Sequence, residues 1–186
     1  MEGKSGLISQ ILEKEFYMFQ RVPTVSPTAC QESEGGFRLV RGSAFETWSE
    51  ATLESYHEDL LSAMRENRNL LTEKYARMDN LIPCLNSNPI IDDIVRIESE
   101  WQAEVRRKYP HILRGGELCQ AGSFENYLHS ELETYSDQTL ELYFQDISQA
   151  LKEGENLAQE RYLKMAQKLG YSSLEEQDKE SAEQMA

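Results

Sequence analysis

One stretch of this chain recurs 87 positions later without a gap. Segments 52–78 and 139–165 match at 12 of 27 positions, and the shared residues of the first copy are Thr52, Leu53, Glu54, Tyr56, Asp59, Ala63, Glu66, Asn69, Leu70, Glu73, Tyr75 and Met78. A gapless match across a stretch with helical periodicity is typical of one helical unit used twice. We therefore predict an all-α fold built by internal duplication.

Each copy is predicted to be an αα-hairpin with a very short turn. Asn67 and Gly154 occupy the same repeat position, and these residue types best tolerate the left-handed conformation that closes a helix. Two residues later, Asn69 and Asn156 are suitable N-caps. The second helix of each hairpin should span about 70–82 and 157–169.

The rest of the chain extends this pattern. A first helix should end near Gln20, and Val22–Gly36, with two prolines and a glycine pair, is expected to be a loop. Helical periodicity continues from Ser43 to Glu66, and a further helix should follow Asn88-Pro89 and end before Pro110. The pair Phe124-Glu125 is taken to correspond to Phe45-Glu46.

We expect one domain, a helical bundle of about seven helices. Repeat one should cover about residues 5–82 and repeat two about 88–170, joined by a short Pro-bounded connection. After Tyr171 the sequence is acidic and nearly devoid of large apolar residues, so residues 172–186 are expected to form a disordered tail.

Composition restricts the partners. The 186 residues carry a formal net charge of −14, which repels nucleic acid and anionic membrane surfaces. Glu13 and Glu15 interrupt the apolar run that a signal peptide needs, so a cytoplasmic protein is expected. Cys30, Cys84 and Cys119 are odd in number and widely spaced, which favours free thiols over disulfides or a zinc site.

Two acidic side chains lie on faces that should be buried. At 100° per residue, Glu15 falls among the apolar residues of the first helix, and Glu98 falls among those of the helix after Pro89. A shift of 83 positions superposes the two patterns. Isolated buried charges cost several kcal/mol, so both carboxylates should find a partner.

Two basic side chains lie on equally apolar faces. Lys74 and its repeat mate Arg161 fall within the apolar stripes of the second hairpin helices, each followed by a tyrosine, Tyr75 or Tyr162. One interpretation is a pair of structural salt bridges between helices, Glu15 and Glu98 pairing with these bases. The other is a polar pocket between the repeats, lined by all six side chains and suited to a small charged ligand.

Metal binding is weakly indicated. Glu54 and His57 have the Glu-x-x-His spacing of carboxylate-bridged di-iron bundles, but the repeat mate of His57 is Phe144, which favours a core position for this histidine. Cys30-Gln31 and Cys119-Gln120 precede the Phe-Glu segments, yet no histidine is placed by sequence to activate either thiol. We predict no metal site, and no cofactor is indicated.

Several strings resemble a known family. WSEATLESYHEDLLSAMRENRNLLTEKYARM, with ILEKEFYMFQ before it, CQESEGGF between and SFENYLHSELETYSDQTLELY after, is similar to domain-of-unknown-function family 4125. The similarity runs from about Leu7 to Tyr171. It implies a bacterial, cytoplasmic, stand-alone protein and brings no activity, cofactor or catalytic residue.

Two functions remain open at this stage. The first is a non-enzymatic module that binds a small molecule or a protein, since no catalytic constellation is present and duplicated helical frames present grooves readily. The alternative is a small enzyme with Glu15 and Glu98 as acid and base, and with Lys74 and Arg161 holding an anionic substrate. Oligomeric state is not indicated by the sequence.

Overall fold

The computed structural model describes residues 3–23, 33–112 and 124–184. Over these ranges it contains nine α-helices and no strand: α1 (Lys4–Phe19), α2 (Glu34–Phe45), α3 (Glu50–Arg65), α4 (Leu70–Met78), α5 (Ile90–Lys108), α6 (Phe124–Leu132), α7 (Asp137–Glu153), α8 (Leu157–Lys168) and α9 (Leu174–Glu183). The all-α prediction is confirmed, and the expected number of about seven helices is too low. None of these described helices combines the length and apolar character needed to cross a membrane.

Helix α2 begins inside the segment that was expected to be a loop. Ser33 caps the helix, because its Oγ accepts a hydrogen bond from the backbone N–H of Gly36 over 3.2 Å. The ring of Phe37 stacks on Phe19 with centroids 5.3 Å apart. A glycine costs a helix roughly 1 kcal/mol, and burying an aromatic ring offsets that cost. Tertiary packing thus overrides the local signal of the glycine pair.

The periodic pattern from Ser43 to Glu66 is divided between two helices. Helix α2 ends at Phe45, and α3 begins after Ser49, whose Oγ accepts the backbone N–H three residues later. Ser136 caps α7 in the same way, 87 positions further on. Phe45 therefore lies at the end of α2, whereas Phe124 lies at the start of α6, and their suggested correspondence is wrong.

The two hairpin turns form as predicted. Asn67 has φ 56° and Gly154 has φ 72°, so both are left-handed. The side-chain oxygens of Asn69 and Asn156 each accept the backbone N–H three residues on, over 2.9 Å in both cases. Local sequence alone determines these turns, since the side chain that closes each helix end lies within a few residues of it.

Helix α9 lies where a disordered tail was expected. Ser173 and Glu176 form a capping pair at its start, in which Ser173 Oγ accepts the backbone N–H of Glu176. Leu174 is only 2% exposed. Two further contacts hold the helix to the end of α5, because Tyr109 Oη donates to Glu175 over 2.7 Å and the backbone N–H of His111 donates to Asp178 over 2.7 Å. These few contacts order a segment whose composition is acidic.

The two halves of the chain interlock. Helices α3 and α7 pack against each other, and α1 and α5 pack on α3 and α7 respectively. Helix α2 from the first half packs on α8 of the second, and α6 from the second half packs on α4 of the first. Consequently, the space between α2, α5 and α8 is enclosed by both halves.

Reciprocal hydrogen bonds join α3 to α7. Thr52 Oγ1 donates to Asp146 over 2.7 Å, and Thr139 Oγ1 donates to Asp59 over 2.7 Å. Each aspartate also accepts the backbone N–H of the serine that caps the opposite helix, at 2.9 Å for Asp146 and 3.1 Å for Asp59. A carboxylate at a helix N-terminus is favoured by the helix dipole as well.

We expect Asp59→Ala and Asp146→Ala to lower the free energy of unfolding by similar amounts, about 2 kcal/mol each, because each removes two hydrogen bonds to a charged acceptor. Urea denaturation of the single variants measures this. Glu58→Ala is the matched control on the same helix, and its exposed ion pair with Arg65 should contribute less than about 0.5 kcal/mol. A clear difference between the two aspartate variants would contradict the equivalence of their environments.

Aromatic rings fill the centre between the helices. Trp48 lies 4.7 Å from Tyr143, and Tyr56 lies 4.8 Å from Tyr135, measured between ring centroids. All four side chains are buried, as is Trp101, so these aromatic residues belong to the core. Several of these tyrosines also carry a hydroxyl that reaches a buried carboxylate.

Candidate functional site

Glu15 and Glu98 are both buried, as their helical faces predicted. Glu15 on α1 is 0% exposed and Glu98 on α5 is 1% exposed. Each accepts a hydrogen bond from a tyrosine hydroxyl over 2.6 Å, Glu15 from Tyr56 and Glu98 from Tyr143. Each carboxylate also accepts hydrogen bonds from a guanidinium group. The two guanidinium groups come from helices that are not equivalent in the two halves.

The partner of Glu98 is the predicted one. Arg161 on α8 donates to both carboxylate oxygens, through Nη1 to Oε1 over 3.0 Å and through Nη2 to Oε2. Burial lowers the pKa of the Arg161 guanidinium, but the Glu98 carboxylate outweighs burial and holds that pKa above its ordinary value. Arg161 therefore keeps its proton inside the protein, and it meets Glu98 with fork-to-fork geometry.

The partner of Glu15 differs from the prediction. Arg41 on α2, rather than Lys74, donates to Glu15, through Nε over 2.9 Å and through Nη2 over 2.5 Å. Arg41 also donates through Nη1 to Glu131 on α6 over 2.8 Å. Lys74 donates to the other oxygen of Glu131. Glu131 thus bridges the two bases, and Tyr135 adds a third hydrogen bond to it over 2.8 Å.

Neither Arg41 nor Glu131 was singled out from the sequence. Arg41 belongs to a helix that begins in the expected loop, so no apolar face was assigned to it. Glu131 lies in α6, which has only nine residues. The available signal was the same as for Glu15, namely a charged residue next to apolar ones, since Glu131 immediately precedes the fully buried Leu132.

Burial and ion pairing have opposite effects on the pKa values of Glu131 and Lys74. Burial raises the pKa of the Glu131 carboxyl, but Arg41 and Lys74 outweigh burial and hold that pKa far below its ordinary value. Burial lowers the pKa of the Lys74 ammonium, and the facing Glu131 opposes this only in part. Three acidic side chains, Glu15, Glu98 and Glu131, thus contact three basic ones, Arg41, Lys74 and Arg161.

A cavity of about 210 Å³ lies beside this network. Its aromatic wall consists of Trp48, Phe124, Tyr127, Tyr135, Tyr143 and Tyr162. Its aliphatic wall consists of Val40, Ala44, Ile112, Leu128, Leu132 and Met165, and its polar wall consists of Arg41, Glu98, Gln102, Glu131, Arg161 and Gln177. These residues come from both halves of the chain.

Only some of the six residues predicted to form a pocket line this cavity. Glu98, Arg161 and Tyr162 line it, whereas Glu15, Lys74 and Tyr75 are not among the described residues of its wall. Lys74 instead lies over the ring of Tyr127, with Nζ 3.4 Å from the ring centroid. The second-half residues of the predicted set therefore line this cavity, whereas Glu15 and Lys74 of the first half form closed ion pairs.

One polar pair on the wall is neutral. Gln102 is 8% exposed, and its Nε2 donates to the hydroxyl oxygen of Tyr162 over 2.7 Å. Burial raises the pKa of Tyr162 above its ordinary value, so this phenol keeps its proton at neutral pH. Gln102 is thus a further polar residue of the site that the sequence analysis did not identify.

The described residues place no second metal ligand group around the Glu54 and His57 candidates. Glu54 is exposed, and within residues 3–23, 33–112 and 124–184 no group of three or more His, Cys, Asp and Glu side chains could hold a metal ion. His57 is half-buried on α3. Cys84 is an exposed free thiol, and Cys30 and Cys119 lie outside the described residues.

The chain was compared with known families and proteins. The model of a family described as proteins of unknown function, DUF4125, matches residues 5–179, which include every described residue of the network. Neither the curated proteins nor the solved structures provide a match. Because the family match covers nearly the whole chain, the resemblance found in the sequence is confirmed: the protein belongs to the DUF4125 family.

Proposed function

We propose that this protein binds a small molecule in the cavity between its two halves. The observation that carries the proposal is the buried Glu98–Arg161 pair on the cavity wall, beside the neutral Gln102–Tyr162 pair. Ligand sites are characteristically concave and apolar, with a few converging polar groups. An acid–base pair of Glu15 and Glu98 receives no support from this geometry, because Glu15 has both oxygens bonded and is not on the described wall.

The proposal includes the internal duplication. Asn69 Nδ2 donates to the carbonyl oxygen of Met18, and Asn156 Nδ2 donates to that of Trp101. Met18 and Trp101 lie 83 positions apart, as do Glu15 and Glu98. These matched bonds, together with the reciprocal aspartate bonds between α3 and α7, support two copies of one unit related by an approximate twofold axis.

A comparison of the two halves supports the idea that the space is kept open. Val40 and Ala44 on α2 line the cavity, and the residues 87 positions later on α6 are Tyr127 and Glu131. Around Lys74, the first-half counterpart of Arg161, side chains occupy the corresponding region. The ring of Tyr127 covers the Lys74 ammonium group, and Glu131 forms an ion pair with it. The smaller Val40 and Ala44 leave room next to Arg161.

The test is to fill the cavity. Ala44→Leu should abolish binding of single-ring probes such as benzamide and phenol, or weaken it more than about tenfold, while the fold remains stable because the added methyl groups enter existing space. Ligand-observed NMR with millimolar probes on the full chain measures this. Ala51→Leu, on the exposed side of α3, is the matched control and should bind like the wild type.

Two results would contradict the proposal. The first is that none of the probes binds the wild-type chain, and the second is that binding persists unchanged when the cavity is filled. Val40→Tyr provides a second filling variant, because tyrosine already occupies the position 87 residues later. Should Ala44→Leu fail to fold, this variant answers the same question.

A further inference from the structure

We infer that the cavity selects an uncharged single-ring molecule that hydrogen-bonds to the Gln102–Tyr162 pair. This inference rests on the proposed binding function and adds the chemical class of the ligand. Three properties of the wall carry it: the volume, the balance of charge, and the position of the neutral polar pair.

The volume of the cavity matches a molecule of about one ring. An apolar protein cavity of roughly 150 Å³ binds benzene, and this cavity has about 210 Å³. The difference leaves room for a few further heavy atoms, whereas drug-sized ligands occupy larger pockets, of roughly 300 Å³ and above. The aromatic side chains on the wall, including Trp48 and Tyr143, offer flat faces against which a planar ring can stack.

The balance of charged side chains on the described wall excludes a charged ligand. Among the described residues of the wall, the two basic side chains Arg41 and Arg161 are matched by the two acidic side chains Glu98 and Glu131. Both carboxylates are already engaged by these guanidinium groups. A charged ligand would lose its hydration without meeting an uncompensated opposite charge, and burying an unpaired charge is costly.

The Gln102–Tyr162 pair would orient the bound ligand. Within the described residues, Tyr162 uses its hydroxyl oxygen to accept from Gln102 and donates to no protein acceptor. A phenol can donate and accept at once, and a glutamine amide carries two donors and an acceptor. A ring that bears an amide or carbonyl group can therefore accept from Tyr162 while its apolar face packs on the aromatic wall.

The experiment compares four single-ring probes of similar size: benzamide, toluene, benzoate and benzylammonium. Titrations of the full chain followed by protein NMR should give the tightest binding for benzamide, with benzoate and benzylammonium at least about tenfold weaker. Gln102→Leu and Tyr162→Phe should weaken benzamide about fivefold to tenfold and leave toluene unchanged. The variant Glu98→Gln should improve benzoate binding selectively, because it leaves Arg161 uncompensated.

The outcomes separate the class of ligand from binding itself. If benzoate or benzylammonium binds as tightly as benzamide, the inferred class is wrong and the proposed binding function stands. If benzamide binds but ignores both Gln102→Leu and Tyr162→Phe, the assigned polar contact is wrong. If none of the four probes binds the wild-type chain, the proposed function itself fails. Gln102→Leu and Tyr162→Phe retain the ion pairs, so the test does not depend on the folding of Glu98→Gln.

Discussion

Glu131→Gln is expected to lower the free energy of unfolding by about 4 kcal/mol. The carboxylate of Glu131 accepts from Lys74, Arg41 and Tyr135, and Lys74 is only 2% exposed. Arg41 keeps Glu15 as a partner, but Lys74 loses the only carboxylate that it contacts among the described residues. A buried ammonium group without a counter-ion accounts for most of the expected loss. Urea denaturation measures it.

A double substitution separates lost pairing from lost packing. Lys74→Met combined with Glu131→Gln removes both charges, and its stability should return to within about 1 kcal/mol of the wild type, since a buried ion pair replaced by uncharged groups is often neutral. Glu66→Gln is the control for an exposed ion pair, with Arg68, and should change stability by less than about 0.5 kcal/mol. A single Glu131→Gln variant as stable as the wild type would show that Lys74 is not dependent on this carboxylate.

Above pH 10 the protein is expected to lose stability steeply. Burial, reinforced by a nearby carboxylate, raises the pKa of Tyr56, Tyr135 and Tyr143 well above 10 in the folded state. In the unfolded chain these phenols ionise near pH 10, so the folded state binds more protons above that pH. Their contribution to stability is complete below pH 10 and declines as the pH rises. Three such groups give a slope of about 4 kcal/mol per pH unit.

Lys74 has the opposite effect on stability below pH 10.5. Burial lowers its folded-state pKa below 10.5, so between its folded and unfolded pKa values the unfolded chain binds the additional proton and stability rises with pH. One group contributes at most about 1.4 kcal/mol per pH unit, and this contribution ends near pH 10.5. The three tyrosines therefore dominate at higher pH.

The measurement is a spectrophotometric titration of the nine tyrosines, followed in parallel by circular dichroism. At least three phenols should ionise only when helical structure is lost. Tyr143→Phe should reduce this late group by one, and Tyr17→Phe, at an exposed position on α1, should leave it intact. Ionisation of all nine tyrosines with the helices preserved would contradict the buried tyrosine–carboxylate arrangement.

The hydrogen-bonded tyrosines also show how far the sequence could be used. Their burial was predictable, because Tyr56 and Tyr143 lie at equivalent positions on apolar helical faces. Their hydroxyl partners were not, because Glu15 lies 41 residues from Tyr56 and Glu98 lies 45 residues from Tyr143. Periodicity shows which side of a helix is buried, and it does not show which helix covers that side.

The ion pairs show the same limit more sharply. The Glu98–Arg161 pair joins two helices of the second half and was predicted correctly. The equivalent pair in the first half would join Glu15 to Lys74. That pairing is wrong, because Arg41 contacts Glu15 instead. Arg41 and Glu131 belong to α2 and α6, the helices that pack across the two halves. Arg41 takes the place of Lys74 beside Glu15, and Glu131 pairs with Lys74. The Glu98–Arg161 pair has no equivalent of Glu131 beside it, because Ala44 on α2 occupies the position that Glu131 has on α6.

By itself, the sequence determined the helical class, the two hairpins with their caps, and the burial of Glu15, Glu98 and Lys74. These features depend on residues within one or two helical turns, where side-chain direction follows directly from spacing. Only the tertiary structure decided that α2 packs on α8 and α6 on α4, which places Arg41 and Glu131, 90 residues apart, in contact. The cavity depends on the same crossing, because its volume is set by which side chains from the two halves meet, and no local pattern encodes that meeting.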